Sequence, residues 1–382
     1  MEIQDLDPAD LDAAFDVRTR SFGVLPEANR DGWRRMMRHA IDDHRVLGCY
    51  QGSRLVAVAR INRFRQWWQG RAIPMAGVAG VVVAPEARGR GVGRLLMRAV
   101  LERSADHAYP LSALYPATLP LYRQCGWEVA GSQYLVDVPA AAIRALGGAA
   151  VPLRRVGPED VDDILAVVRG VHATARTSGP IDWEATQART WLTEDAPFAY
   201  LADDGFLAYH WEGRNLEVDE LVAGSGETAR ALWSLVGSGS SVAETVRACV
   251  GPSDPLHWLT QEEVVRQYDQ KHWMLRLIDV PAALSGRGYP AGVDSELTVS
   301  IEDPHLPANS GTWRLTVAQG AGKAERASGG GLRLGPNGLA ALYAGTPVTS
   351  LRTLGLATDG DPDIDPLYDT VFGAQPYLLD YF

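Results

Sequence analysis

The run Val81-Val82-Val83-Ala84-Pro85-Glu86-Ala87-Arg88-Gly89-Arg90-Gly91-Val92-Gly93-Arg94 gathers the residue types that hold a phosphate. Three valines in succession predict a strand covered on both faces. Beyond the glycines, Val92, Leu95, Leu96, Ala99 and Val100 recur at helical spacing, so a helix starts at the turn. The first N–H groups of a helix are unpaired and carry roughly half a positive charge, which attracts an anion. Gly89, Gly91 and Gly93 let the backbone close around that anion, and Arg88, Arg90 and Arg94 set full charges beside it. The expected guest is a pyrophosphate. A Walker loop would continue into Lys-Ser or Lys-Thr, and a dinucleotide fold would read G-x-G-x-x-G; this spacing is R-x-x-G-x-G.

A strand–turn–helix of this kind needs an α/β sheet to hold it. At 382 residues the chain is long enough for two or three domains. Helices are expected near Pro8–Ser21 and Arg30–Ile41, and strands over Leu55–Ile61, Ile73–Pro85, Leu111–Tyr115 and Trp127–Val138, with a short helix at Leu119–Cys125. The chain then repeats itself. Leu6-Asp7-Pro8-Ala9-Asp10-Leu11-Asp12 is echoed by Val156-Gly157-Pro158-Glu159-Asp160-Val161-Asp162, and Leu135–Ala141 by Leu277–Ala283, which marks a duplicated unit. In the second copy Glu220–Trp233 stands where the anion loop should be; no arginine precedes its glycines, and Glu227 would repel a phosphate. That copy reads as a degenerate scaffold whose tryptophans (Trp183, Trp191, Trp211, Trp233, Trp258, Trp273) belong to the core. From Ser285 the alternation of Leu297, Val299 and Ile301, then Trp313, Leu315 and Val317, predicts a small α+β domain. The expected division is 1–149, 150–284 and 285–382. Gly320–Ala324 is no Walker loop, and the aspartates of Asp359–Asp365 lack a calcium loop's glycine and glutamate.

The net charge of −11 argues against nucleic acid and anionic membranes as partners, and suits a cationic substrate. The acidic start has no apolar core, and no apolar stretch is long enough to span a bilayer, so neither a signal peptide nor membrane insertion is expected. Three widely spaced cysteines fit reduced thiols, and with them a cytoplasmic location. Eight histidines form no metal-ligand cluster, so no metal is expected.

The R-x-x-G-x-G loop after a valine strand resembles the acetyl-CoA loop of the GNAT-type N-acetyltransferases. The resemblance implies acetyl-CoA as acyl donor, its pyrophosphate on Gly89–Arg94 (Val92 included) and its pantetheine added as a strand along Val81, Val82 and Val83; Ala117 and Thr118 complete the implied contacts. It also implies a role for Tyr122 in Leu121-Tyr122-x-x-x-Gly126-Trp127, where the family sets a phenol beside the CoA sulfur as general acid. Tyr115 is the second choice, because its strand end also approaches the thioester. A duplicated acetyltransferase with a third, sterol-carrier-like domain resembles the enhanced intracellular survival (Eis) family, on Val83-Ala84-Pro85, Arg90-Gly91, Leu121-Tyr122, Ala231-Leu232-Trp233 and Val280–Leu284 through Arg287-Gly288-Tyr289. That likeness implies a homohexamer, primary amines on a cationic small molecule (aminoglycoside- or polyamine-like) or lysine side chains as acceptors, and the carboxylate of the last residue, here Phe382, as base. A terminal carboxyl with a pKa of about 3.5 facing an ammonium near 10 makes direct proton removal uphill by about 8–9 kcal/mol, so relay through water suits it better. The chain departs from the family at Gly80, where relatives carry an aromatic, and at Ser21–Pro26, where some carry acids; its acceptor pocket should be less acidic. Trp67 and Trp68 either line the site or pack. The alternative function is a non-catalytic protein that binds CoA, or a lipid through the third domain.

Overall fold

The computed structural model describes residues 1–148 and 150–382; Ala149, where the first unit was expected to end, lies outside the described residues. Thirteen strands form one continuous sheet. In the first half these are β1 (Glu2–Asp5), β2 (Val46–Gln51), β3 (Arg54–Trp68), β4 (Arg71–Val83), β5 (Leu111–Leu114) and β6 (Glu128–Pro139). The second half supplies β7 (Arg154–Val156), β8 (Ile181–Asp182), β9 (Phe198–Ala202), β10 (Gly205–Glu212), β11 (Asn215–Ala223), β12 (Thr245–Val250) and β13 (Arg266–Leu277). The spatial order is β1-β2-β3-β4-β5-β13-β6-β12-β11-β10-β9-β7, with β8 beside β3. The two halves have exchanged their last strands. β13 pairs with β5, and β6 pairs with β12. Burial explains the exchange: Val136 and Val138 of β6 sit in the core built by Val246, Ala248 and Trp233, while Met274 of β13 joins the core of Leu96, Val100 and Leu114.

Helices α1 (Leu11–Phe22), α2 (Glu27–Asp42), α3 (Val92–Asp106), α4 (Leu119–Arg123) and α5 (Ala140–Arg144) serve the first half. Helices α6 (Val161–Ala175), α7 (Ala185–Glu194), α8 (Gly226–Gly237) and α9 (Leu256–Leu259) serve the second. The helix after the anion loop forms as its spacing predicts, but the buried stripe is Val92, Leu96, Met97, Val100 and Leu101, and Leu95 stays exposed on its rim. The strand expected over Leu55–Ile61 runs on to Trp68, because Gln69 and Gly70, both with positive φ, make the tight turn that joins it to β4. Trp67 and Trp68 at this hairpin tip pack rather than line the site. Trp68 is fully buried with its ring 4.7 Å from that of Tyr343, and Trp67 lies 5.7 Å from His172.

The last hundred residues form a separate sheet, ordered β16-β15-β14-β17-β18, from β14 (Ser295–Ile301), β15 (Gly311–Ala318), β16 (Ala321–Arg326), β17 (Leu332–Leu334) and β18 (Ala357–Thr358). Helices α10 (Val280–Gly286), α11 (Pro336–Tyr343), α12 (Val348–Thr353) and α13 (Asp365–Phe372) cover it. Of the acidic run, Asp365 is buried under the fork of Arg352 and Asp359 pairs with Arg333, so arginines answer these charges. Arg287 is fully buried among the rings of Trp68, Tyr289, Tyr343 and Phe372 and gives Nη1 to the Tyr343 carbonyl at 2.5 Å. Gly320 closes the β15–β16 hairpin with Gln319, again both at positive φ.

A buried ion pair fastens this domain to the large sheet. Arg276 of β13 gives Nη2 to Asp303 at 2.6 Å, and Asp303 also accepts from Asn309 and from the N–H groups of His305 and Leu306. Both partners are buried. Asp303→Ala strands the guanidinium, and denaturant unfolding should show a loss of about 3–5 kcal/mol.

Candidate functional site

Strands β4 and β5 run parallel only over Met75–Gly77 and Leu111–Ala113, then part. A bulge at Gly80 (φ +61°), where the register against β3 slips between Val58 and Arg60, turns the last residues of β4 outward. Val82 and Val83 stay paired with β3 on one side; the edge that faced β5 is open to an added strand. A cavity of about 630 Å³ fills the gap. Its walls include Val81, Val82, Val83, Arg88, Gly89, Gly91, Val92, Gly93, Arg94, Ala117 and Thr118, so these expected residues come together. Arg90 does not: its side chain is exposed and lines no part of this cavity. Gly89 and Gly91 adopt φ +73° and +78°, which side-chain-bearing residues rarely do. Gly91 precedes α3 without a side-chain cap, and the first turn carries no acid, so the helix N-terminus is free for an anion.

Tyr122 stands where this cavity meets a second one of about 410 Å³, and lines both. Burial pushes its phenol up to about 12, so it holds its proton at neutral pH. The second cavity is bounded by Phe22 and Arg18 of α1, Trp33, Met36 and Met37 of α2, Arg60 of β3, the Val78–Val82 stretch of β4, and Tyr115, Tyr381 and Phe382.

Phe382 arrives there at the end of an extended tail threaded through the second half. Tyr377 gives its N–H to Ser178 and Leu378 gives its own to Ser132, each at 3.1 Å. Cys249 Sγ donates to the Leu378 carbonyl at 3.2 Å, Gln133 Nε2 to that of Leu379 at 2.9 Å, and the Tyr115 hydroxyl to that of Asp380 at 2.8 Å. The Phe382 ring meets Phe64 edge-on at 5.1 Å, and Tyr381 leans on Tyr115 at 4.5 Å. Tyr115 therefore spends its hydroxyl on the tail, unlike the acid expected as second choice. No local sequence pattern announces the tail clamp. Its trace in the sequence is Gly131 within β6 and Gly179 before β8: a Cβ on either would lie within 2.2 Å of a tail carbonyl.

The corresponding strand–turn–helix of the second half, β11 to α8, is closed to anions. Ser225 caps α8 through Thr228 N at 3.2 Å, and the Thr228 hydroxyl is held by Asp204. Beyond the tail lies a third cavity of about 320 Å³ lined by Trp183 and Trp191, which pack half-buried against the core, and by Asp219, Glu220 and Asp380. Of the tryptophans expected in the core, Trp211 and Trp258 are instead exposed, whereas Trp233 and Trp273 are buried. Burial raises Asp380 to about 7; burial, then the nearby Asp380 and Asp219, raises Glu220 to about 8. Among the described residues no group of three His, Cys, Asp or Glu side chains is placed to hold a metal, and no helix is long and apolar enough to cross a membrane.

Family models described as acetyltransferase (GNAT) domains match residues 2–130 and 178–277, and a sterol carrier protein domain matches 280–379. A crystal structure of a GCN5-related N-acetyltransferase from Kribbella flavida is 50% identical, with a TM-score of 0.96, covering 100% of this chain and 98% of that one. An uncharacterised N-acetyltransferase of Streptomyces avermitilis is 27% identical over 372 residues, 90% of this chain and 89% of its own. The N-acetyltransferase Eis of Mycobacterium tuberculosis is 29% identical over 272 residues, 66% of this chain and 67% of its own.

Both raised carboxyls keep protons that the unfolded chain would release near pH 4, so the folded state loses stability as pH rises from about 4 through about 8. Asp380→Asn should melt about 2–4 °C above the parent at pH 8.5 and close to it at pH 4.5, by calorimetry.

Proposed function

The chain belongs to the GCN5-related N-acetyltransferases, and we propose that it is of their Eis kind and moves an acetyl group from acetyl-CoA to a primary amine held between Tyr122 and Phe382. The single observation that carries the reading is the convergence of Tyr122 and Phe382 on one cavity that adjoins the splayed β4 edge. The pantetheine pairs with Val81–Val83 as an added strand, and the pyrophosphate rests on the uncapped N-terminus of α3 between Arg88 and Arg94. The amine attacks the thioester carbonyl directly, forming the C–N bond. Its proton passes through water to the Phe382 carboxylate. As the C–S bond breaks, Tyr122 gives its proton to the thiolate; a phenol near 12 is charged too rarely to fail as donor, and a thiol near 8.5 is a moderate leaving group.

The acceptor is a small amine of the polyamine or aminoglycoside kind or a lysine side chain, and the family resemblance extends the proposal to a homohexamer. The degenerate second half supports the reading by what it holds, namely the tail that carries the proposed base.

Thiol release from acetyl-CoA with a panel of amines tests this. Tyr122→Phe should lower kcat by about 10²–10⁴-fold with little change in KM, the size of a lost general acid. One residue added after Phe382 should abolish turnover while CoA binding persists. Acyl-chain binding with no amine turned over would favour the non-catalytic alternative.

A further inference from the structure

The acceptor cavity is lined by two guanidinium groups, Arg18 and Arg60, and by no side-chain carboxylate. A polycation would meet like charge there, since the acidic side chains of Asp219, Glu220 and Asp380 line the separate cavity beyond the tail. Arg18 is engaged with the Gly23 carbonyl at 2.7 Å. Arg60 is not so provided for. Its Nη1 touches the sulfur of Met36, a weak acceptor, and its Nε is buried with no hydrogen-bond partner. Arg45, whose charge Arg60 feels, is itself paired with Asp43 at 2.8 Å and gives its other arm to the Ile61 carbonyl. Burial, and then Arg45, push Arg60 down to about 10, which leaves it charged at neutral pH. A guanidinium nitrogen withdrawn from water without a partner is costly, and an arriving anion would relieve that cost.

The register fixes where such an anion would lie. Arg60 pairs with Ala79, and Asn62 with Gly77. The Phe382 ring covers Gly77, close enough that a Cβ there would come within 3.2 Å of it. Two residues along one face of a strand span about 6.5–7 Å. Trp33, Met36 and Met37 line the same cavity with apolar surface, which suits a short methylene chain.

We propose that the acceptor amine also carries a carboxylate, as a diamino acid does, and that Arg60 is the specificity-determining residue that binds it while the amine faces Phe382. This rests on the acetyl-transfer reading above and narrows its substrate class. The Arg60 fork matches a carboxylate with two parallel N–H···O bonds, and closing the pair would satisfy the orphaned Nε.

The test compares kcat/KM of the full-length protein for L-lysine and for cadaverine, the same chain without the carboxylate, and likewise for L-ornithine and putrescine. The amino acid of each pair should be favoured tenfold or more, mainly through KM, as expected for a charge-assisted pair. In Arg60→Gln the ratio should collapse toward one, and in Arg60→Lys it should partly survive. The ratio is internal to each variant, so a partly unfolded preparation does not distort it; if Arg60→Gln proves inactive with every amine, the wild-type ratio decides. A wild-type ratio below threefold, or one that survives Arg60→Gln, overturns the proposal. Neither member of a pair being acetylated while another amine is turned over overturns it and leaves acetyl transfer standing. No amine being turned over at all overturns both.

Discussion

The Tyr115 hydroxyl on the Asp380 carbonyl, with Gln133 and Cys249 on the two carbonyls before it, fixes the last stretch of chain in one extended path. Ordering a free terminus costs about 1–2 kcal/mol per residue in backbone entropy, so a tail that stays docked needs partners along its whole length. It finds them in every part of the molecule. Tyr115 belongs to the first half, Ser178 and Cys249 to the second, and α13 of the third domain launches the tail after Phe372. Remove any of the three and Phe382 has no address. The arrangement makes a cavity wall out of the most distant residue in the sequence, and everything proposed for acid–base chemistry depends on it.

This gives the second half a physical purpose. In the first half the parting of two parallel strands leaves an open edge at Val81–Val83. In the second, β11 and β12 stay paired only as far as Val218 and Ala248, and beyond that point Tyr377 lies against Gly251. The tail runs where the strands separate. Ser225, Thr228 and Asp204 meanwhile close off the N-terminus of α8. A cleft that no longer welcomes a phosphate has become the seat of the chain's own end.

Local patterns were legible in the sequence wherever the determinants were local. The valine strand, the glycine–arginine turn, the periodic helix after it and the alternating strands β14 and β15 each encode themselves in a few consecutive residues. The duplication showed through because Leu6–Asp12 and Val156–Asp162 repeat a strand-to-helix junction. What escaped was long-range. Nothing near Gln133 or Ser178 announces a partner near the C-terminus, and Trp183 reads like any core tryptophan until Asp380 is found 3.2 Å from its indole nitrogen. Arg60 sits in an alternating strand among other arginines, and only the fold shows that it lines a cavity with its Nε unpartnered. Arg90 lies outside the cavity wall that Arg88 and Arg94 share, a difference that spacing alone does not encode.

The exchange of β6 and β13 reaches further than the packing it satisfies. Strand β13 must find β5 across more than half of the two acetyltransferase units, so neither can finish its sheet while the other is unmade. On the ribosome the first unit emerges with β5 unpartnered along one edge and waits for Arg266–Leu277 to be synthesised. Such a chain has high contact order and a long exposure to aggregation, and its two halves gain or lose their structure together. A gene duplication has here produced one module that cannot be taken apart, in place of two independent ones.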